Sequence, residues 1–148
     1  MIEITTRSWT EGLDLQFDVF RWSRGSVHQA GVGVALRGHY RAPGARRDAG
    51  PFMRMVVGAA LSWPHPGRGI VVDCSGLAYR GGDDFFLWLD LPARFGFPPD
   101  RFRVALIIGE QNEVAIRSLI VDQQIEEFHD HCFLNLSAAI DWICQDIN

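Results

Sequence analysis

Asp73, Cys74 and Ser75 stand where an apolar run gives out, in the stretch Val71-Val72-Asp73-Cys74-Ser75-Gly76-Leu77-Ala78-Tyr79-Arg80-Gly81-Gly82-Asp83-Asp84. An acid, a thiol and a hydroxyl at a strand's carboxyl end are the materials of a nucleophilic or acid–base site, because ligand clefts open there in α/β sheets. Each also has a plainer role. Cys74 needs a histidine beside it to act as a nucleophile, and a small buried thiol is the commoner fate in such a run. Asp73 fits a hydrogen-bonded strand exit, and that reading carries more weight. Asp83 and Asp84 are adjacent and do not face one place on a helix, which argues against a carboxylate pair doing acid–base work. Backbone amides at Gly81 and Gly82 could cradle a developing oxyanion. Their plainer reading is a glycine turn feeding a helix whose N-terminus favours Asp83 and Asp84.

A second cluster, His129-Asp130-His131-Cys132, would put two imidazoles on one face of a strand. A tetrahedral metal needs about four ligands. No second pair has metal spacing, and His28, His39 and His65 are scattered, so the expectation is an exposed loop with a buried thiol and no metal or other cofactor.

The chain has 148 residues, 47% hydrophobic and 11% aromatic, which suits one globular domain spanning 1–148. A net charge of −4 argues against a partner held by phosphate neutralisation, so no nucleic acid is expected. All 14 basic residues are arginine, which excludes Schiff-base, P-loop and Ser–Lys lysine chemistry. Cys74, Cys132 and Cys144 lack CxxC spacing and read as reduced thiols. No apolar run approaches signal-peptide length or the roughly 20 residues of a membrane span, and a bacterial-type cytoplasmic location is expected.

The positioning elements fall into two regimes. Over residues 1–40 the period is two: Ile2 and Ile4, then Leu13, Leu15, Phe17, Val19 and Arg21, then Val32, Val34 and Leu36, with a turn at Ser23-Arg24-Gly25-Ser26. This predicts antiparallel strands. Residues 41–50 form a polar connection. Over residues 51–148 helices and strands alternate. A helix runs from Pro51 to Ser62, and a buried strand covers Ile70 to Val72. A second helix carries Phe85, Phe86, Trp88 and Leu89, and the strand from Phe102 to Ile108 is apolar on both faces. A helix capped by Asn112, a short strand over residues 125–128 and an amphipathic helix after Asn135 complete the order. The fold class is α/β, a sheet with helices packed on it and an N-terminal antiparallel hairpin.

Val34 to Gly38, the strand ending in Asp73-Cys74-Ser75-Gly76, Val104 to Gly109 and the stretch Asn135 to Trp142 together resemble the STAS family of anti-sigma-factor-antagonist-like domains. The resemblance implies a STAS-like fold and a non-enzymatic regulatory or scaffolding role through a protein partner. Its regulated members carry an Asp-Ser-Ser-Gly-like element at the start of the next helix, whose first serine is phosphorylated by a partner kinase. Arg80-Gly81-Gly82-Asp83 takes that place here and carries no hydroxyl, so the switch cannot operate there. The expected contact surface is Ser75, Tyr79, Arg80, Gly81, Gly82, Asp83 and Asp84 with the following segment.

The alternative is a small enzyme or acyl-ligand binder using the Gly81 and Gly82 amides, because Tyr79 to Phe85 is also similar to a crotonase-type oxyanion turn. An immunity or toxin-neutralising role rests only on size and acidity. Arg37, Arg41, Arg46, Arg47 and Arg54 on one side, and Asp122, Glu126, Glu127 and Asp130 on the other, read as two solvated surfaces. The competing reading is a complementary pair for self-association as a homo-oligomer or for a charged partner. Trp9, Trp22 and Trp63 would sharpen it if they shared a surface.

Overall fold

The computed structural model describes residues 14–41 and 49–146. The run at Ile2 and Ile4, together with Trp9, Leu13, Arg46 and Arg47, lies outside them. In chain order the elements are β1 (Leu15–Arg24), β2 (Ser26–His39), α1 (Gly50–Leu61), β3 (Gly69–Ala78), α2 (Leu91–Arg94), β4 (Arg103–Ile107), α3 (Glu113–Asp122), a 3-10 helix (Glu126–His131), β5 (Cys132–Phe133) and α4 (Leu136–Cys144). The sheet order is β1-β2-β3-β4-β5. β1 and β2 form an antiparallel hairpin, and every later pair is parallel. Parallel neighbours require a crossover, so the change from period two to alternating helix and strand has a topological cause. The expected α/β class and hairpin are present.

Alternation along the strands divides the core between two faces. Val32, Val34 and Leu36 of β2, Ile70, Val72 and Cys74 of β3, and Leu106 of β4 face α1, the segment 83–94 and α3. Val71, Ala105 and Ile107 point the other way, where Ala139, Ile143 and Cys144 of α4 cover them. On that second face β2 offers only Gly31 and Gly33 beneath the rings of Trp22 and Phe20. A Cβ on Gly31 would lie 2.2 Å from Trp22, and one on Gly33 would lie 2.2 Å from Phe20. Each ring belongs to the residue directly opposite in the hairpin register. The Trp22 indole N–H donates to the Val32 carbonyl at 2.9 Å. The glycines thus leave room for aromatic rings that supply the apolar area glycine lacks. Trp22 is consequently buried and cannot share an exposed surface with Trp63.

Three expected elements differ from the structure. Residues 83–90 wind as turns, with i to i+3 bonds such as Leu87 N–H to Asp84 carbonyl and Leu89 N–H to Phe86 carbonyl, and only four residues of α-helix follow. Phe85, Phe86 and Trp88 are all buried. At about 100° per residue an α-helix would point Phe86 and Trp88 to nearly opposite sides. The strand expected at 125–128 is part of the approach to and first turns of the 3-10 helix. Ile125 and Phe128 are three apart, the period of that helix, and pairing with β4 starts only at Cys132. The strand seen at Ile70 to Val72 continues to Ala78.

The turn segment is clamped to α1 by charge. Arg54 donates to the Leu87 carbonyl and to Asp90, and Arg94 donates to the same carboxylate. These hydrogen bonds, from Arg54 first and then Arg94, pull Asp90 down to about 2. A lowered folded-state value stabilises the fold above the ordinary aspartate range and loses that stabilisation as pH falls through about 2. The Asp90 side chain is 47% exposed, so screening limits the contribution to about 1 kcal/mol or less. Asp90→Asn is expected to lower urea-unfolding stability by that amount at pH 7. The gap from the unsubstituted protein should close progressively between about pH 4 and pH 2.

Candidate functional site

β3 outlasts β4. The β3–β4 ladder ends at Asp73 and Ile107, whereas β3 stays paired with β2 as far as His39 and Ala78. Between the registers Ala35–Asp73 and Arg37–Gly76, β3 advances one residue more than β2, which makes a bulge at Cys74 and Ser75. Asp73 shapes it, because its Oδ1 accepts from the Ser75 N–H at 2.9 Å and from the Ser75 Oγ at 2.7 Å. Asp73 thus makes the turn-like hydrogen bonds expected of it, but inside β3, where the ladder with β4 ends, and not at the strand's exit, which lies at Ala78.

Carbonyls released where the ladder splits need donors, and Asn112 supplies them. Its Nδ2 donates to the carbonyls of Cys74 and Leu77, both at 2.8 Å, and its Oδ1 accepts from the Gly109 N–H at 2.9 Å. Asn112 occupies the expected cap position of α3, yet its side chain makes no cap bond and reaches β3 instead. It is 1% exposed and, aromatic residues aside, is the one buried polar or charged side chain among the described residues. Beside it Gln111 donates to the Ser75 carbonyl at 3.1 Å. A Cβ on Gly109 would come within 2.7 Å of the same oxygen, so glycine permits the close approach of the two chains.

Beyond Ala78 the chain turns over the first face of the sheet. Tyr79 is buried, edge-on to Tyr40 with centroids 5.0 Å apart and 4.7 Å from Phe85. Its hydroxyl donates to the Gly82 carbonyl at 2.8 Å. Gln123, just after α3, donates to the Asp83 carbonyl at 2.7 Å. A Cβ on Gly50 would lie 2.4 Å from the Asp84 carbonyl, so the start of α1 abuts the loop. Arg80, Gly81, Asp83 and Asp84 are left exposed, with Gly82 partly covered and carrying a φ of 128° that favours glycine.

The expected surface is thus two short ones. Ser75 neighbours Gln111 and Gly109, and Arg80 to Asp84 neighbour Gly50 and Gln123, with buried Leu77 and Tyr79 between. Tyr79 stands behind the second surface and fixes its shape. Gln123 and Tyr40 carry this arrangement without any signal in the sequence, and Asn112, expected only as a cap, serves β3 instead, since the partners of all three are distant along the chain.

The other candidates are engaged separately. Burial pushes the Cys74 thiol well up, and nearby Asp73 and Cys132 add to it. Burial likewise raises Cys132 to about 11. His129 Nδ1 meets Arg117 at 3.2 Å, and His131 Nδ1 meets the Val104 carbonyl at 2.9 Å. Both histidines sit on the 3-10 helix, not on a strand. Among the described residues no three His, Cys, Asp or Glu side chains are grouped to hold a metal. Arg37 pairs with Asp18 at 2.7 Å and Arg54 with Asp90, while Asp122, Glu126, Glu127 and Asp130 are exposed. No helix among the described residues is long and apolar enough to cross a membrane. In comparisons with known proteins, no family model, no curated protein and no solved structure matches this chain.

Asn112→Leu keeps volume but strands two carbonyls and one N–H. It is expected to cost about 2–5 kcal/mol in urea unfolding, several times the effect of a surface substitution. In the folded protein at pH 8, Cys74 and Cys132 should resist alkylation by iodoacetamide, as followed by peptide mass spectrometry. Both should label fully once urea unfolds the chain.

Proposed function

We propose that this protein is a non-enzymatic regulatory or scaffolding module that acts by protein–protein contact through the exposed part of residues 75–84. The carrying observation is that Arg80, Gly81, Asp83 and Asp84 are open to solvent while the loop backbone is fixed from below by Tyr79, Gln123 and the start of α1. A surface ordered in advance loses little conformational entropy on binding. Among the described residues Arg80 forms no hydrogen bond or ion pair, so its guanidinium is available for a charge-assisted contact.

Resemblance to the STAS family supports the same reading. The segments that carry it are β2, β3, β4 and α4, and the three strands are neighbours in the sheet. Free thiols accord with a cytoplasmic place of action. The oxyanion-turn alternative is weaker electrostatically. Asp83 and Asp84 follow Gly81 and Gly82 directly, and two carboxylates beside an anion cradle oppose the charge it would have to stabilise.

Arg80→Glu and Asp83→Arg, each with an unchanged melting temperature, are expected to reduce partner recovery at least about tenfold in a cross-linking pull-down under native expression. Equal recovery with wild type and both variants would refute the loop as the contact surface.

A further inference from the structure

The geometry points to a second copy of this chain as the partner of β1, added edge to edge across a twofold axis at Val19. β1 is ten residues long and forms one edge of the sheet. Among the described residues nothing pairs with its outer side. The Asp14 carbonyl accepts from the His39 N–H at 2.7 Å, in line with the hairpin register. In an antiparallel ladder bonded pairs alternate, so the even-numbered residues bond to β2. The N–H and C=O groups of Leu15, Phe17, Val19, Arg21 and Ser23 therefore point outward, an unfilled template for another strand.

Twofold pairing must be antiparallel and must keep opposed side chains on one sheet face, so the axis passes through a residue. The charges then select which one. An axis at Asp18 sets Asp18 against its own copy. An axis at Arg21 places Asp18, which already holds Arg37, opposite Arg24 twice but sets Arg21 against its own copy. An axis at Phe20 faces Asp18 with Trp22 and Gln16 with Arg24, and matches no opposite charges. An axis at Val19 places Asp14 opposite Arg24 twice and opposes no like charges. It also sets Phe17 opposite Arg21.

Asp14 already meets His39 at 2.8 Å, and Arg24 meets Asp141 at 3.1 Å, on the α4 face of the sheet. Each dimer contact would join these pairs into a four-member network. On the opposite face, Phe17, Met55 and Trp63 are 45%, 44% and 38% exposed. Phe17 packs edge-on to Phe52, one turn before Met55, and Arg21 lies over Trp63 at 5.9 Å. These apolar side chains flank the same edge and gain cover from the second copy.

The test is the mass of the full-length chain by size-exclusion chromatography with light scattering at about 100 µM, with circular dichroism confirming that each variant folds. Wild type is expected at twice the 16.7 kDa of one chain. Asp14→Arg and Arg24→Asp, each of which opposes like charges twice, are expected to weaken the dimer at least about tenfold, and combining the two should restore it. A monomeric wild type overturns the proposal, whether residues 1–13, another protein or water covers the edge. A dimer indifferent to the single substitutions, or a double variant that stays monomeric, overturns it as well.

Discussion

Three hydrogen bonds from one amide side chain hold the place where the sheet comes apart. β3 and β4 separate after Asp73 and Ile107, and separation strips ladder partners from carbonyls that are out of reach of water. Asn112 gives two N–H groups to β3 and takes one from Gly109, so it bridges the strand that leaves and the helix that begins. An apolar residue of equal size would fill the space and leave those groups unmet. The bulge at Cys74 and Ser75, the exposure of Ser75 and the course of Leu77 and Tyr79 back into the core all depend on this junction. The loop that follows inherits its position from it.

Beyond the junction, rigidity and exposure are combined by dividing the work between neighbours. Tyr79 and Phe85 are buried and pack with Tyr40, while Arg80, Gly81, Asp83 and Asp84 stay in solvent. The bonds that fix this loop go to its carbonyl oxygens, from Tyr79 and Gln123. Among the described residues its exposed side chains Arg80, Asp83 and Asp84 make no hydrogen bond or ion pair. On the far side of the sheet Trp22 and Phe20 solve a different problem, covering a strand whose glycines have no side chains of their own. The two devices stabilise opposite faces of the sheet separately.

Much of the fold was legible because periodicity reports burial directly. Val32, Val34 and Leu36 alternate because one face of β2 is apolar, and Phe102 to Ile108 read as apolar throughout because both faces of β4 are covered. The caps were less legible. Asn135 caps α4 as expected, accepting from the Ala138 N–H at 2.9 Å. Asn112 holds the same kind of position but turns its side chain to β3, where the carbonyls of Cys74 and Leu77 are buried, while the Glu113 N–H is met by the Gly109 carbonyl. The segment 83–90 looked helical because Phe85, Phe86, Trp88 and Leu89 are dense in apolar character. Density cannot tell a helix from a chain of turns when adjacent residues must enter the same core.

By itself the sequence determined the class of the fold, the hairpin, the alternation of helix and strand and the absence of a hydroxyl from Arg80-Gly81-Gly82-Asp83. Those features are local: they follow from side-chain spacing, turn chemistry and residue identity within a few positions. Only the tertiary structure decided that Asp73 serves Ser75, that Cys74 and Tyr79 are buried, that Trp22 lies on Gly31 and that the expected surface is two short ones. Each of these depends on a partner brought close by the sheet, and hydrogen bonding and burial act on distance in space, which order along the chain does not contain.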